Sequence, residues 1–186
     1  MEEQDQAKSA AALNKRSTAN ARKVGAFKKG ESSQFLWAEE GKVKEALSRL
    51  SAGTSTWLML GNKDASNKNS IDLLSEGKGD IEDIRGLLED DAISFFVLAK
   101  TCPDEDMSTS KEASNYNVVR NIFLAWVGPK VKPMLKARSS QHRAALYMRL
   151  KPMIQLHGEL QLAEKAELTD DAVYDKLGVT GWRVTA

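Results

Sequence analysis

From Ala113 to Gly158 the chain carries eight Lys and Arg residues and no Asp or Glu, whereas from Asp72 to Asp106 it carries eleven acidic residues and three basic ones. A net charge of +1 over 186 residues conceals this sorting. Cations gathered without acids do one kind of chemistry well: they pair with, and donate hydrogen bonds to, an acidic surface. Lys136, Ser140, Arg143 and Tyr147 recur at helical spacing, and Arg138, His142, Ala145 and Arg149 form a neighbouring stripe. Lys130 and Lys132 precede them in a turn, and Arg120 interrupts an otherwise apolar segment leading into that turn. The expected result is one convex basic ridge, made of a helix and the turn before it. A solvated charged face is the ordinary explanation of a charge run. Ordinary faces mix signs, however, and this one has no acid, which favours an acidic partner.

The residues that could support catalysis are poorly placed for it. His142 is expected on the exposed side of the helix and His157 on the polar face of an alternating segment, neither with a partner evident in sequence. Cys102 stands beside Pro103 in an expected loop, without a base or an orienting group. Glu76-Gly77-Lys78-Gly79-Asp80 has a glycine-flanked lysine but lacks the rest of a phosphate-binding loop, and reads as a turn. Glu89-Asp90-Asp91 and Asp104-Glu105-Asp106 lack the alternation of a calcium loop and read as solvated loop ends. No enzyme, metal or cofactor is called for.

The elements that must carry the cations follow from composition and periodicity. With 41% hydrophobic and 28% charged residues the chain can bury one core. A single cysteine excludes an internal disulfide and a Cys-rich zinc site, and suits a reducing, cytosolic compartment. No apolar run is long enough to span a bilayer. Residues 6–30 are acid-free and rich in Ala, Lys and Arg, loosely like a transit peptide, but the acidic start Met1-Glu2-Glu3-Gln4-Asp5 and the lack of an apolar stripe argue against import. Residues 1–33 therefore read as a flexible basic extension, 34–178 as one domain and 179–186 as a tail.

Within the domain, Val43, Ala46, Leu47 and Leu50 mark a helix stopped by Gly53. Thr56–Leu60 and Ile71–Leu74 read as strands joined by a hairpin-like turn over 61–67. Ile81, Ile84, Leu87 and Leu88 mark a short helix after Asp80. Ile93–Ala99 and Val118–Val127 have the continuous apolar character of central strands, with a long loop over 101–117 between them. Pro133 opens a long helix reaching Leu150, with Met134, Ala137, Gln141, Ala144, Ala145 and Met148 expected on its inner side. Residues 154–162 alternate as a strand near a sheet edge, and Thr169 caps a final helix closed by Gly178. The order implies an α/β fold of the α+β type: a mixed five- or six-stranded central sheet sandwiched by helices on both faces.

The segment Trp126-Val127-Gly128-Pro129-Lys130-Val131-Lys132-Pro133-Met134-Leu135-Lys136-Ala137-Arg138 resembles the actin-depolymerising-factor homology domains (the cofilin-like, or ADF-H, family), and within them the coactosin-like branch. That branch has an aliphatic strand ending in Trp-Ile-Gly followed by a basic helix. The resemblance extends over roughly residues 38–178. It implies a sheet sandwiched by helices, as the element order does, and a non-catalytic, cytoskeletal function: actin binding in the cytoplasm by a monomer, filaments favoured over monomeric actin. It also implies site residues: Arg120 before the strand into Trp126, and Lys136 and Arg138 at the start of the long helix. Lys130, Lys132 and Arg143 are added from the ridge itself. Two departures stand out. More than thirty residues precede the first helix, with Ser32 and Ser33 near where cofilin-like members carry a regulatory serine, and Pro133 replaces the usual glycine or lysine.

A second reading gives the same ridge to phosphoinositide or other anionic lipid, or to nucleic acid. Nucleic acid is disfavoured because Tyr147 is the only aromatic interleaved with the cations. A third gives the acidic block Asp72–Asp106 to other regulators of actin.

Overall fold

The computed structural model describes residues 36–62, 70–103 and 117–179. The expected basic extension, the turn residues 63–67, the loop residues 104–116 and the tail from 180 lie outside the described residues. Six strands form one mixed sheet in the order β1-β3-β2-β4-β5-β6. They are β1 (Leu36–Trp37), β2 (Trp57–Gly61), β3 (Ser70–Gly77), β4 (Ile93–Pro103), β5 (Asn117–Val127) and β6 (Leu156–Leu162). Since β1 has only two residues, five strands make up the sheet proper. β1 runs parallel to β3 and β6 parallel to β5; all other neighbours are antiparallel.

The helices are α1 (Glu40–Ser51), α2 (Ile81–Leu87), α3 (Pro133–Leu150) and α4 (Asp170–Lys176). They cover both faces because the central strands are apolar on both. On one face Leu58, Leu60, Phe95, Val97, Phe123 and Ala125 pack under α1 and α3. On the other, Trp57, Phe96, Leu98, Ile122, Leu124 and Trp126 pack under α2 and α4. Alternation along β5 therefore sends its odd-numbered core residues to one helix layer and its even-numbered ones to the other.

The ends of the helices obey local chemistry. Asp80 caps α2 by accepting from Glu82 N at 3.0 Å, and Asp83 returns the bond from Asp80 N. Thr169 accepts from Ala172 N at 3.1 Å to cap α4, and Asp170 and Asp171 fill its first turn. Gly53 and Gly178, with φ near 70° and 72°, end α1 and α4 in the left-handed region that glycine tolerates. The helix α3 begins at Pro133 and ends at Leu150, as the sequence predicts.

Two expectations fail at strand ends. β4 and β5 pair from Ile93↔Val127 to Pro103↔Asn117, so residues 101–103 and 117 are strand and not loop. Cys102 is consequently fully buried at the end of β4. No helix among the described residues is long and apolar enough to cross a membrane.

Candidate functional site

The basic helix is held in place by the turn before it. Trp126 is buried, and its indole Nε1 donates to the Glu89 carbonyl at 2.7 Å. Two residues later Gly128 N donates to Ala92 O at 3.0 Å, and Lys130 N donates to Asp90 O at 2.8 Å. A Cβ at position 128 would drive into the Asp90 carbonyl, so only glycine allows the two segments to approach. The Trp-Val-Gly run is thus a strap that fixes the loop after α2 against the end of β5. Val131, 5% exposed, anchors the turn from inside, and Pro133 starts α3 with its φ already set.

Ala145 packs against the core as expected, but otherwise the inward face of α3 is not the expected one. Ser139, His142, Leu146 and Leu150 are buried, with Leu135 half-buried one turn earlier, whereas Met134 is 80% and Met148 67% exposed. The helix offers two stripes of similar hydropathy. Leucine at 146 and 150 decides between them, because it brings more apolar area to the sheet than the Ala residues of the other stripe. His142 is accordingly buried, not solvent-facing. Burial holds its imidazole below the ordinary pKa, and the Arg138 guanidinium one turn back adds to that.

The stripe turned outward is Met134, Ala137, Gln141, Ala144 and Met148, all exposed. Helical geometry sets Lys136 and Arg143 along one shoulder of it and Arg138 and Arg149 along the other. Lys136 Nζ donates to the Pro129 carbonyl at 3.1 Å, tying the shoulder to the turn. Lys132 and Arg138 make no ion pair among the described residues, and no acid occurs anywhere on α3. The surface is an apolar strip between cationic edges.

Other expected site residues are engaged or lie elsewhere. Lys130 pairs with Asp90 at 3.0 Å, and its ammonium, followed by Lys165, holds the Asp90 carboxyl below its usual range. Arg143 pairs with Glu159 at 3.3 Å and donates to Gln161 Oε1, joining α3 to β6. Arg120 does not belong to the ridge. As an even-numbered residue of β5 it faces the α4 side, and its Nη1 donates to the Leu177 carbonyl at 2.7 Å. Lys100 is its register partner and pairs with Asp170 at 2.7 Å above the Tyr174 ring. The cations therefore form two groups on opposite faces of the sheet. His157 is exposed, and its Nδ1 accepts from Asn121 N at 3.0 Å where the β5–β6 register shifts. Among the described residues no cluster suited to a metal ion occurs. The sequence makes the helical spacing of Met134 and Met148 visible but not its direction: expected on the inner side of α3, both are exposed.

A mixed sheet between two helix layers, with a long basic helix crossing from β5 to the parallel strand β6, defines an actin-depolymerising-factor homology domain. Residues 37–178 match the family described as cofilin/tropomyosin-type actin-binding protein, and the chain belongs to it. The fold is similar to that of coactosin from Entamoeba histolytica, at 20% identity and a TM-score of 0.59 over 77% of this chain and 94% of that one. It is similar to human coactosin-like protein, at 14% identity and a TM-score of 0.60 over 76% and 96%. Mouse coactosin, an actin filament binding protein, is also similar, at 14% identity and a TM-score of 0.55 over 79% and 92%. No curated protein matches the chain in sequence.

Proposed function

We propose that this chain is a non-catalytic, cytoskeleton-associated actin binder that prefers filaments to monomers, with the outer face of α3 as its main contact. The observation that carries the reading is the exposed Met134–Met148 stripe between Lys136 on one side and Arg138 on the other, on a helix without a carboxylate. An apolar strip can seat in a groove, and cationic shoulders suit acidic rims around that groove. Lys130 and Lys132 extend the charge into the turn. Arg120 supports the filament preference. It stands on the opposite sheet face, where it would meet a second, neighbouring actin subunit that only a filament supplies. The filament binding of mouse coactosin, which shares the fold, supports the same reading.

Co-sedimentation with filamentous actin tests it. The chain is expected in the pellet at low salt, and Lys132→Glu combined with Arg138→Glu is expected to leave it in the supernatant with an unchanged circular dichroism spectrum. A wild-type chain that stays in the supernatant would overturn the proposal.

A further inference from the structure

A groove of about 580 Å³ opens under the first half of α3, at the end of the sheet. Its apolar wall comes from Ile71 of β3, Ile93 and Phe95 of β4 and Leu135 of α3. Its polar end holds Arg138 and His142, one helical turn apart. The volume lies within the range of about 300 to 1,000 Å³ usual for small-molecule sites, which join apolar walls to a few placed polar groups. Arg138 is half-buried there and has no carboxylate partner among the described residues. A guanidinium partly withdrawn from water, with its five donors in a planar fork, is best satisfied by a carboxylate. The acids that also border the groove, Glu89 and Asp91, are exposed, so water screens them more than it screens the Arg138 end.

We propose that this groove is a binding site for a small amphipathic carboxylate, its alkyl body against Ile93 and Leu135 and its carboxylate accepting hydrogen bonds from Arg138. The site is separate from the outer stripe of α3, since Leu135 and His142 lie on the inward side of the helix while Met134 and Met148 point away from it. Arg138 is the residue common to both surfaces. The inference concerns the ligand alone and stands whether or not the chain binds actin.

Calorimetric titration of the whole chain with decanoate below its micellar concentration tests the proposal. Decyltrimethylammonium serves as the cationic control, and phosphatidylserine vesicles represent a lipid surface. Saturable one-site binding of decanoate is expected, with none for decyltrimethylammonium. Arg138→Gln should weaken decanoate about tenfold, the loss of a charge-assisted hydrogen-bond pair. Leu135→Trp should fill the groove and abolish binding; Arg138→Gln, at a half-exposed position, keeps the test decisive if that variant fails to fold. Equal binding of the two amphiphiles, unchanged affinity in Arg138→Gln, or binding to vesicles without binding to decanoate would each overturn the assignment.

Discussion

Burial between α3 and the sheet, reinforced by the neighbouring Arg138 guanidinium, keeps His142 neutral at pH values where a free imidazole would already carry a proton. In the unfolded chain it titrates near the ordinary value of about 6.5. Between that pH and the lower folded value, the unfolded state binds more protons, so stability falls as pH falls. The urea midpoint should therefore be lower at pH 5.5 than at pH 7.5, and His142→Gln should flatten that difference. An identical slope in His142→Gln would show that another group is responsible. The carboxylates of Glu40, Asp90 and Glu167, held low by Lys44, Lys130 and backbone N–H donors respectively, titrate in a separate window below the usual carboxylate range. Trp126 makes a second residue-scale case. Trp126→Phe keeps the ring in the core but leaves the Glu89 carbonyl without its indole donor. A loss of about 1 to 3 kcal/mol is expected from the lost bond, measured by urea denaturation. The strap it breaks also seats the start of α3, so actin pelleting should weaken more than the stability change alone would produce.

At the scale of the element, α3 is a helix with two apolar stripes and one sheet to cover. Leu146→Ala removes a fully buried side chain and should destabilise the fold by about 2 to 5 kcal/mol. Met148→Ala removes one that is 67% exposed and should leave the urea midpoint unchanged while weakening actin pelleting. The opposite pattern would return the stripe to the core, where its periodicity first placed it. This pair also marks how far the sequence could be read. The start and end of α3 were legible because Pro133 and Pro152 are local signals, and β4 and β5 because long apolar runs need two covered faces. Which side of α3 faces inward was not legible. Local pattern carries no information about whether Met134 or Leu135 turns inward, since that depends on where the sheet lies. The same reason hid the position of Arg120. Its strand was evident, but the face it points to is set by the pairing of β5 with β4 and by the packing of α4 beneath it.

At the scale of the molecule, the candidate-site cations among the described residues lie on two faces of one sheet: the α3 shoulders on one side, Arg120 beside the end of α4 on the other. On the proposed reading a monomer engages one of these faces, whereas a filament presents neighbouring subunits to both. Charge reversal should then separate the two contacts. Lys136→Glu should weaken binding to monomeric and filamentous actin alike, because it alters the face that either would use. Arg120→Glu should lower the pelleted fraction with filaments and leave the affinity for labelled monomeric actin unchanged. The double variant should lose pelleting altogether. Salt gives an independent check, as the Debye length shortens from about 10 Å at 0.1 M to about 3 Å at 1 M. Pelleting of the wild-type chain should decline steadily across that range. The decline should be shallower for Arg120→Glu, which has one fewer cation at the filament. If Arg120→Glu and Lys136→Glu changed monomer and filament binding in the same proportion, both would belong to a single contact, and the two-sided arrangement of cations would have no part in the filament preference proposed above.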